Sequence, residues 1–267
     1  YKRRIGMIFA AENGLIETKK YKNTYSSINA YADGVNAYIN SLNWDEYPIE
    51  YKILDYKPEK WTTKKTLLFL KSMALTLSGR SLDLNNSQIK NQYGIDVFND
   101  LYPQYPNYID PIIPKGTIFD KPSISIISPD TIYRSKSYQN KILIQPDKSN
   151  GSNNWAVDGS KTKSGFTMLS NDPHLQLTLP NIWYQIHLNT PKFNVYGASL
   201  PGAPCVISGF NDSIAWGETN GGDDVWDWYD ITFKDKNMHE YYFNGSWVKT
   251  KKRIEEIKIR GQKSFFD

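Results

Sequence analysis

Cysteine is all but missing from this sequence. Cys205 stands alone, which excludes an intramolecular disulfide and any cage of several thiolates, and leaves a lone buried thiol as the plain expectation. Histidine is nearly as scarce. His174, His187 and His239 are the three in 267 residues, and no H-E-x-x-H spacing joins them into a metal motif; His187, inside an apparent strand, and His239, in a polar stretch, read as structural. No apolar run approaches the roughly 18 residues that span a bilayer, and no basic, apolar, small-residue leader is visible. Charge of one sign is lacking too: 32 Lys and Arg face 28 Asp and Glu without a basic block, so no nucleic acid partner is implied. Neither a G-x-S-x-G elbow nor a phosphate-cradling glycine loop occurs, which sets aside the common hydrolase and nucleotide signatures. The chain opens on Tyr1 instead of Met, as a processed product or an excerpt of something longer would.

What is present suffices for a packed core, with 39% hydrophobic and 14% aromatic residues. Within residues 28–42 the apolar positions Ile28, Tyr31, Ala32, Val35, Tyr38, Ile39 and Leu42 recur at three and four, which predicts an amphipathic helix with Ser26 or Ser27 as N-cap. The Pro-bounded "EYPIEYKILDYKPEKW" reads as extended. Thr62 or Thr63 then caps a second helix through "LLFLKSMALTL" that stops at Gly79, and a weaker pattern follows over residues 87–93. Residues 1–101 thus form a mostly helical segment. In residues 102–151, Pro103, Pro106, Pro111, Pro114, Pro122, Pro129 and Pro146 break any regular element and leave a loop-rich connector.

From residue 152 to 267 the texture changes. "NWAVDGS", "FTMLS", "IWYQIHL", "FNVYGASL", "CVISGF" and "SIAWGETN" are short aromatic and β-branched runs, separated by the turn signals "DGSKTKSG", "NTPK", "PGAP" and "NDS". They predict consecutive strands. Asn244-Gly245 predicts a later hairpin turn. Connections this short cannot be crossovers, so neighbouring strands should be antiparallel, and helices followed by such strands predict an α+β architecture.

Five unusual strings occur in fixed order: "GSNNWAV", "LSNDPHL", "IWYQIHL", "YGASLPGAP" and "GFNDSIAWGETNGGDDVWD". Together they resemble the start of the catalytic β-chain of the penicillin acylase (penicillin amidase) family of N-terminal nucleophile hydrolases. The upstream "AYADGVNAYI" and "YKILDYKPEKWT" resemble the later part of that family's α-chain. The resemblance implies part of a four-layer αββα sandwich and a chain cut between Gly151 and Ser152. It also implies a small-molecule acyl-amide substrate, and partnership between the chain's own α- and β-chains after processing.

The chemistry needs a serine in that place. A hydroxyl is a poor nucleophile until a base takes its proton, and an N-terminal residue carries its own base. An α-amine has an unperturbed pKa of about 7.7–8.0, so a useful fraction is neutral near neutral pH. By resemblance the cut is autocatalytic, with the Ser152 hydroxyl attacking the Gly151 carbonyl, and a glycine tolerates strain at that step and lets the hydroxyl approach.

The resemblance assigns further positions one by one. His174, in "NDPHL", falls beside the nucleophile and helps orient it; the histidine resembles the cephalosporin-acylase branch more than the benzylpenicillin branch. Asn220, in "WGETNGG", falls where a backbone N–H binds the oxyanion, and the side-chain asparagine that completes this hole in the family falls downstream of Asp267. Leu175 and Ser208 fall on the acyl pocket. A serine at 208, where benzylpenicillin acylases carry an aromatic, favours aliphatic acyl chains or acyl homoserine lactones. Asp224 and Asp227 match carboxylates that bind a structural calcium in some family members, a suitable set for a hard cation, whereas catalysis itself requires no cofactor. The family is commonly exported, so a periplasmic or secreted location follows from resemblance. The alternative is a non-catalytic module that binds carbohydrate or another ligand on its eight Trp and nineteen Tyr, although such richness usually means core packing.

Overall fold

The computed structural model of the chain describes residues 2–77, 83–103, 113, 116–118, 151–175, 177–221, 225, 227–261 and 265–266. Most of the Pro-rich connector therefore lies outside the described residues. Two compact units are present, the first made of residues 1–79, 146–223 and 231–267, the second of residues 80–145 and 224–230.

In the first unit α1 (Met7–Thr18), α2 (Lys22–Ser41), α3 (Ile49–Leu54) and α4 (Thr63–Leu77) precede all strands. Ala11, Ile28 and Leu67, one from each of the three longer helices, meet in a buried cluster flanked by Leu15 and Leu68. The predicted second helix is α4, and the Lys65 N–H donates to Thr62 Oγ1 at 3.4 Å as the cap reading requires. The first predicted helix begins earlier than expected, at Lys22. Ser27 is not its cap but lies inside it, donating Oγ–H to the Asn23 carbonyl at 3.0 Å. "EYPIEYKILDYKPEKW" is not extended throughout either: Pro48 precedes α3, where its fixed φ suits a helix start. The second unit holds α5 (Asp83–Tyr93) and α6 (Ile95–Leu101), so the weak pattern over 87–93 is the end of a longer helix.

The strands are antiparallel, as their short connections predict. β1 (Gly151–Val157) pairs with β2 (Met168–His174). β3 (Tyr184–Thr190), β4 (Phe193–Ser199), β5 (Ser208–Asn211) and β6 (Ala215–Trp216) form a four-stranded meander. β7 (Glu240–Phe243) and β8 (Ser246–Lys249) make a hairpin, and β9 (Glu256–Ile257) pairs with β10 (Phe265–Phe266). The β7–β8 turn is the predicted Asn244-Gly245, whose φ of 46° and 81° match the two left-handed positions of a tight hairpin. Helices plus antiparallel sheets make the fold α+β, in agreement with the sequence reading.

Within the first unit the N-terminal helical segment and the strand-bearing segment are tied by side-chain contacts. The Gly202 N–H, in the turn after β4, donates to Tyr31 Oη of α2 at 2.8 Å. Arg253 donates to Glu12 Oε2 at 2.6 Å, Arg3 to Glu255 at 3.0 Å, and Arg260 to Asp55 at 2.7 Å.

Candidate active site

β1 and β2 place the candidate nucleophile. Gly151 pairs with His174 and Ser152 with Pro173. Because side chains alternate along a strand, Gly151, Asn153, Asp172 and His174 share one face of the hairpin, and Ser152, Asn154, Asn171 and Pro173 share the other.

On the first face His174 Nε2 lies 2.8 Å from Asp172 Oδ2 and 3.5 Å from Asn153 Nδ2. A Cβ placed on Gly151 would stand 3.7 Å from His174 Nδ1. The ring is therefore beside the residue that supplies the acyl side of the candidate scissile bond. That spacing is ordinary contact, and Gly151 lies in regular strand pairing, so the uncut conformation does not itself demand a glycine here.

Around Ser152 the arrangement is denser. Its Oγ–H donates to the Gly151 carbonyl oxygen at 2.5 Å, and its own carbonyl accepts from Thr219 Oγ1 at 3.1 Å. Asn171, on Ser152's face, donates Nδ2–H to the Glu218 carbonyl at 2.8 Å, and its Oδ1 accepts from Ser208 Oγ at 2.6 Å. The segment 217–220, which carries Asn220, thus crosses both strands of the hairpin. Asn220 Nδ2 in turn donates to the Leu77 carbonyl at 3.4 Å, at the end of α4.

Asn171 links Ser208 to the segment ending at Asn220, and Thr219 links that segment to Ser152. Leu175 follows β2 directly and is half-buried, its N–H donating to the Pro173 carbonyl at 3.1 Å. His187 stands apart on the meander, bonded to Asn194 Oδ1 at 2.7 Å. Asp224 lies outside the described residues. Asp227 is exposed, and no three His, Cys, Asp or Glu side chains converge on a common point among the described residues. Cys205 corrects the expectation of a buried thiol, for it is an exposed residue. Partial burial of the thiol, followed by the nearby Glu218 carboxylate, still holds its pKa above the ordinary range.

Sequence reasoning passed over Asn171, Asp172, Glu218 and Thr219. All four stand inside the ordered strings, in "SNDPHL" and "WGETN", but nothing in a linear string says that an asparagine of one meets a glutamate backbone of the other.

Helices followed by antiparallel sheets define an α+β protein, in which a serine hydroxyl is held against the preceding carbonyl at the head of a strand. The penicillin amidase family model matches residues 1–266, and the chain belongs to that family. The acyl-homoserine lactone acylase QuiP of Pseudomonas aeruginosa is 29% identical over 242 residues, covering 87% of this chain and 28% of that protein. Penicillin G acylase of Escherichia coli is 25% identical over 293 residues, covering 90% of this chain and 34% of that protein. Penicillin acylase 2 proenzyme of Pseudomonas sp. (strain SE83) is 26% identical over 245 residues, covering 88% and 30%. This chain spans about a third or less of the length of these relatives. A solved thermostable penicillin G acylase from Alcaligenes faecalis is 32% identical over 45% of this chain and 21% of that one, with a TM-score of 0.40. No described helix is long and apolar enough to cross a membrane.

Proposed function

We propose that this chain is the nucleophile-bearing segment of an N-terminal nucleophile amidohydrolase that cleaves a linear acyl-amide through an acyl-enzyme on Ser152. The observation that supports it most is the match of the penicillin amidase family model over residues 1–266, with Ser152 at the head of a strand and its Oγ–H donating to the Gly151 carbonyl oxygen beside the carbon it would attack. In processing, Oγ adds to the Gly151 carbonyl carbon, the C–N bond breaks as the nitrogen gains a proton, and Gly151 is left esterified to Oγ. Water then hydrolyses the ester, releasing a Gly151 carboxylate and a free Ser152 hydroxyl and α-amine.

In turnover the α-amine accepts the Oγ proton as Oγ attacks the substrate carbonyl. The developing oxyanion is held by a backbone N–H at Asn220, where a donor contributes most because the charge exists only in the transition state. Collapse expels the protonated amine, and water, activated by the same α-amine, frees the acid. Ser208 and Leu175 line the acyl side. A small hydroxyl at 208 leaves room for an aliphatic acyl chain, as on an acyl homoserine lactone. The relatives' names include acylases of such lactones and of penicillin G. The two processed chains stay together through the Tyr31–Gly202, Glu12–Arg253, Arg3–Glu255 and Asp55–Arg260 contacts. Location outside the cytoplasm rests on family resemblance.

The test is the mass of the protein freshly expressed from its gene, beside Ser152→Ala. A wild-type chain split between Gly151 and Ser152, an unsplit variant, and turnover of acyl-amides only by the former are expected. An unsplit wild type inert toward a panel of acyl-amides would refute the reading and leave a binding module.

A further inference from the structure

Asn171 sits in the middle of β2, partly buried, with its carboxamide fully committed. Nδ2 donates to the Glu218 carbonyl at 2.8 Å and the Asn153 carbonyl at 3.4 Å; Oδ1 accepts from Ser208 Oγ at 2.6 Å and from the Glu218 N–H at 3.2 Å. An amide has two donors and two acceptor positions, and all four are used. Turning it over would set N–H against N–H at Glu218, so its orientation is fixed. The approach is also close: a Cβ on Gly217 would fall 2.6 Å from Asn171 Cβ and 2.8 Å from its Cγ, so the segment reaches Asn171 only because residue 217 has no side chain.

We propose that Asn171 is a positioning residue for the acylase reaction, a role that rests on the function proposed above. Its carboxamide sets three parts in one register: the nucleophile's strand through Asn153, the acyl-side Ser208, and the segment that presents Asn220 as oxyanion donor. Ser208 and Glu218 share one acceptor, Oδ1. An acyl chain seated against Ser208 therefore bears on the same group that fixes the oxyanion donor, and acyl fit is felt in kcat as well as in KM. Asn171 does not touch the reacting atoms; it acts through residues that do.

The experiment uses the full-length protein with Asn171→Ala and Asn171→Asp. Each is followed by intact mass, by kcat and KM on p-nitroanilides of increasing acyl length per titrated active site, and by amide hydrogen exchange of residues 217–220. Asn171→Ala is expected to exchange faster in 217–220 than wild type, to lose kcat by about 10- to 100-fold as small misplacements do, and to flatten the dependence of kcat on acyl length. Asn171→Asp keeps the two acceptor contacts and should fall between. A drop in melting temperature with kcat per active site unchanged overturns the proposal, since a purely structural residue would behave so. Should the wild type neither split nor turn over, the acylase reading fails while exchange still judges the anchor: unchanged exchange in Asn171→Ala refutes it, and faster exchange upholds it.

Discussion

Tyr31→Phe removes one oxygen and nothing else. Tyr31 Oη accepts the Gly202 N–H at 2.8 Å, in a turn whose Leu200, Gly202 and Ala203 are buried. The ring itself packs edge-on to Trp61 with centroids 6.4 Å apart, and Trp61 is fixed by Asn36, which donates to its carbonyl at 2.9 Å and accepts from its N–H at 2.8 Å. Phenylalanine keeps that packing. What changes is a buried backbone N–H left without a partner, at a cost of about 1–3 kcal/mol. For a domain of this size that is a fall of roughly 2–12 °C in melting temperature. The assay is thermal unfolding of the full-length protein with Ser152→Ala in both forms, so that the chain stays covalent. The sign with pH follows from burial, which raises the Tyr31 pKa against the opposing pull of the Gly202 N–H. A raised folded pKa gives stability that is present below the ordinary tyrosine value of about 10 and is lost as pH rises through the folded one. Tyr31→Phe should lose part of the alkaline limb of the stability curve. A change under about 0.5 kcal/mol, with the alkaline limb intact, would refute the claim that Gly202 depends on this hydroxyl.

Two further outcomes follow from other contacts. Gly217→Ala places a methyl inside Asn171 and forces the 217–220 segment away; kcat in full-length protein should fall about as far as in Asn171→Ala, and a variant with wild-type kcat would show that the segment's position is not critical. Glu12 is held below the ordinary carboxylate range first by its hydrogen bond from Arg253, so its contribution is present above its unfolded pKa and is lost as pH falls through the folded one. Melting curves between about pH 3 and 7 should therefore lose part of their acid dependence in Glu12→Gln, and parallel curves for the two proteins would count against the pairing.

The strands were legible in the sequence because their aromatic and β-branched runs end at Gly, Pro, Asn and Asp, and Asn244-Gly245 named its own turn geometry. α4 was legible from Thr62 and its apolar repeat. α3 was misread because Pro48 and Pro58 look like breakers, whereas the first of them starts a helix. α1 carries Gly14 and has no side-chain cap, so neither of the usual signals marked it. Among the candidate site residues, Ser152 and Asn220 stand inside the ordered strings and Ser208 in the strand run "CVISGF", each matched to the family position by position. Asn171 stands inside "LSNDPHL" as well, but its contacts lie 37 and 47 residues away, and long-range pairing leaves no local period to read.

The uncut chain also sharpens a question of acid–base chemistry. With the bond between Gly151 and Ser152 intact, the Ser152 nitrogen is an amide whose lone pair is delocalised into the carbonyl, so it cannot serve as the base that the proposed turnover requires. The hydroxyl instead spends its proton on the Gly151 carbonyl oxygen. Under the proposed reaction the cut removes that acceptor from the chain and creates the amine in the same event, so the proton's destination changes from carbonyl to nitrogen. Only the Gly151 and His174 pair of the ladder is lost. The pairing from Ser152 to Val157, the Thr219 bond to the Ser152 carbonyl and the Asn171 contacts all lie on the far side of the cut. If the proposed scission takes place, the contacts that hold Ser152 on the far side of the cut are not among those broken, so the cut would change the base while leaving those contacts in place.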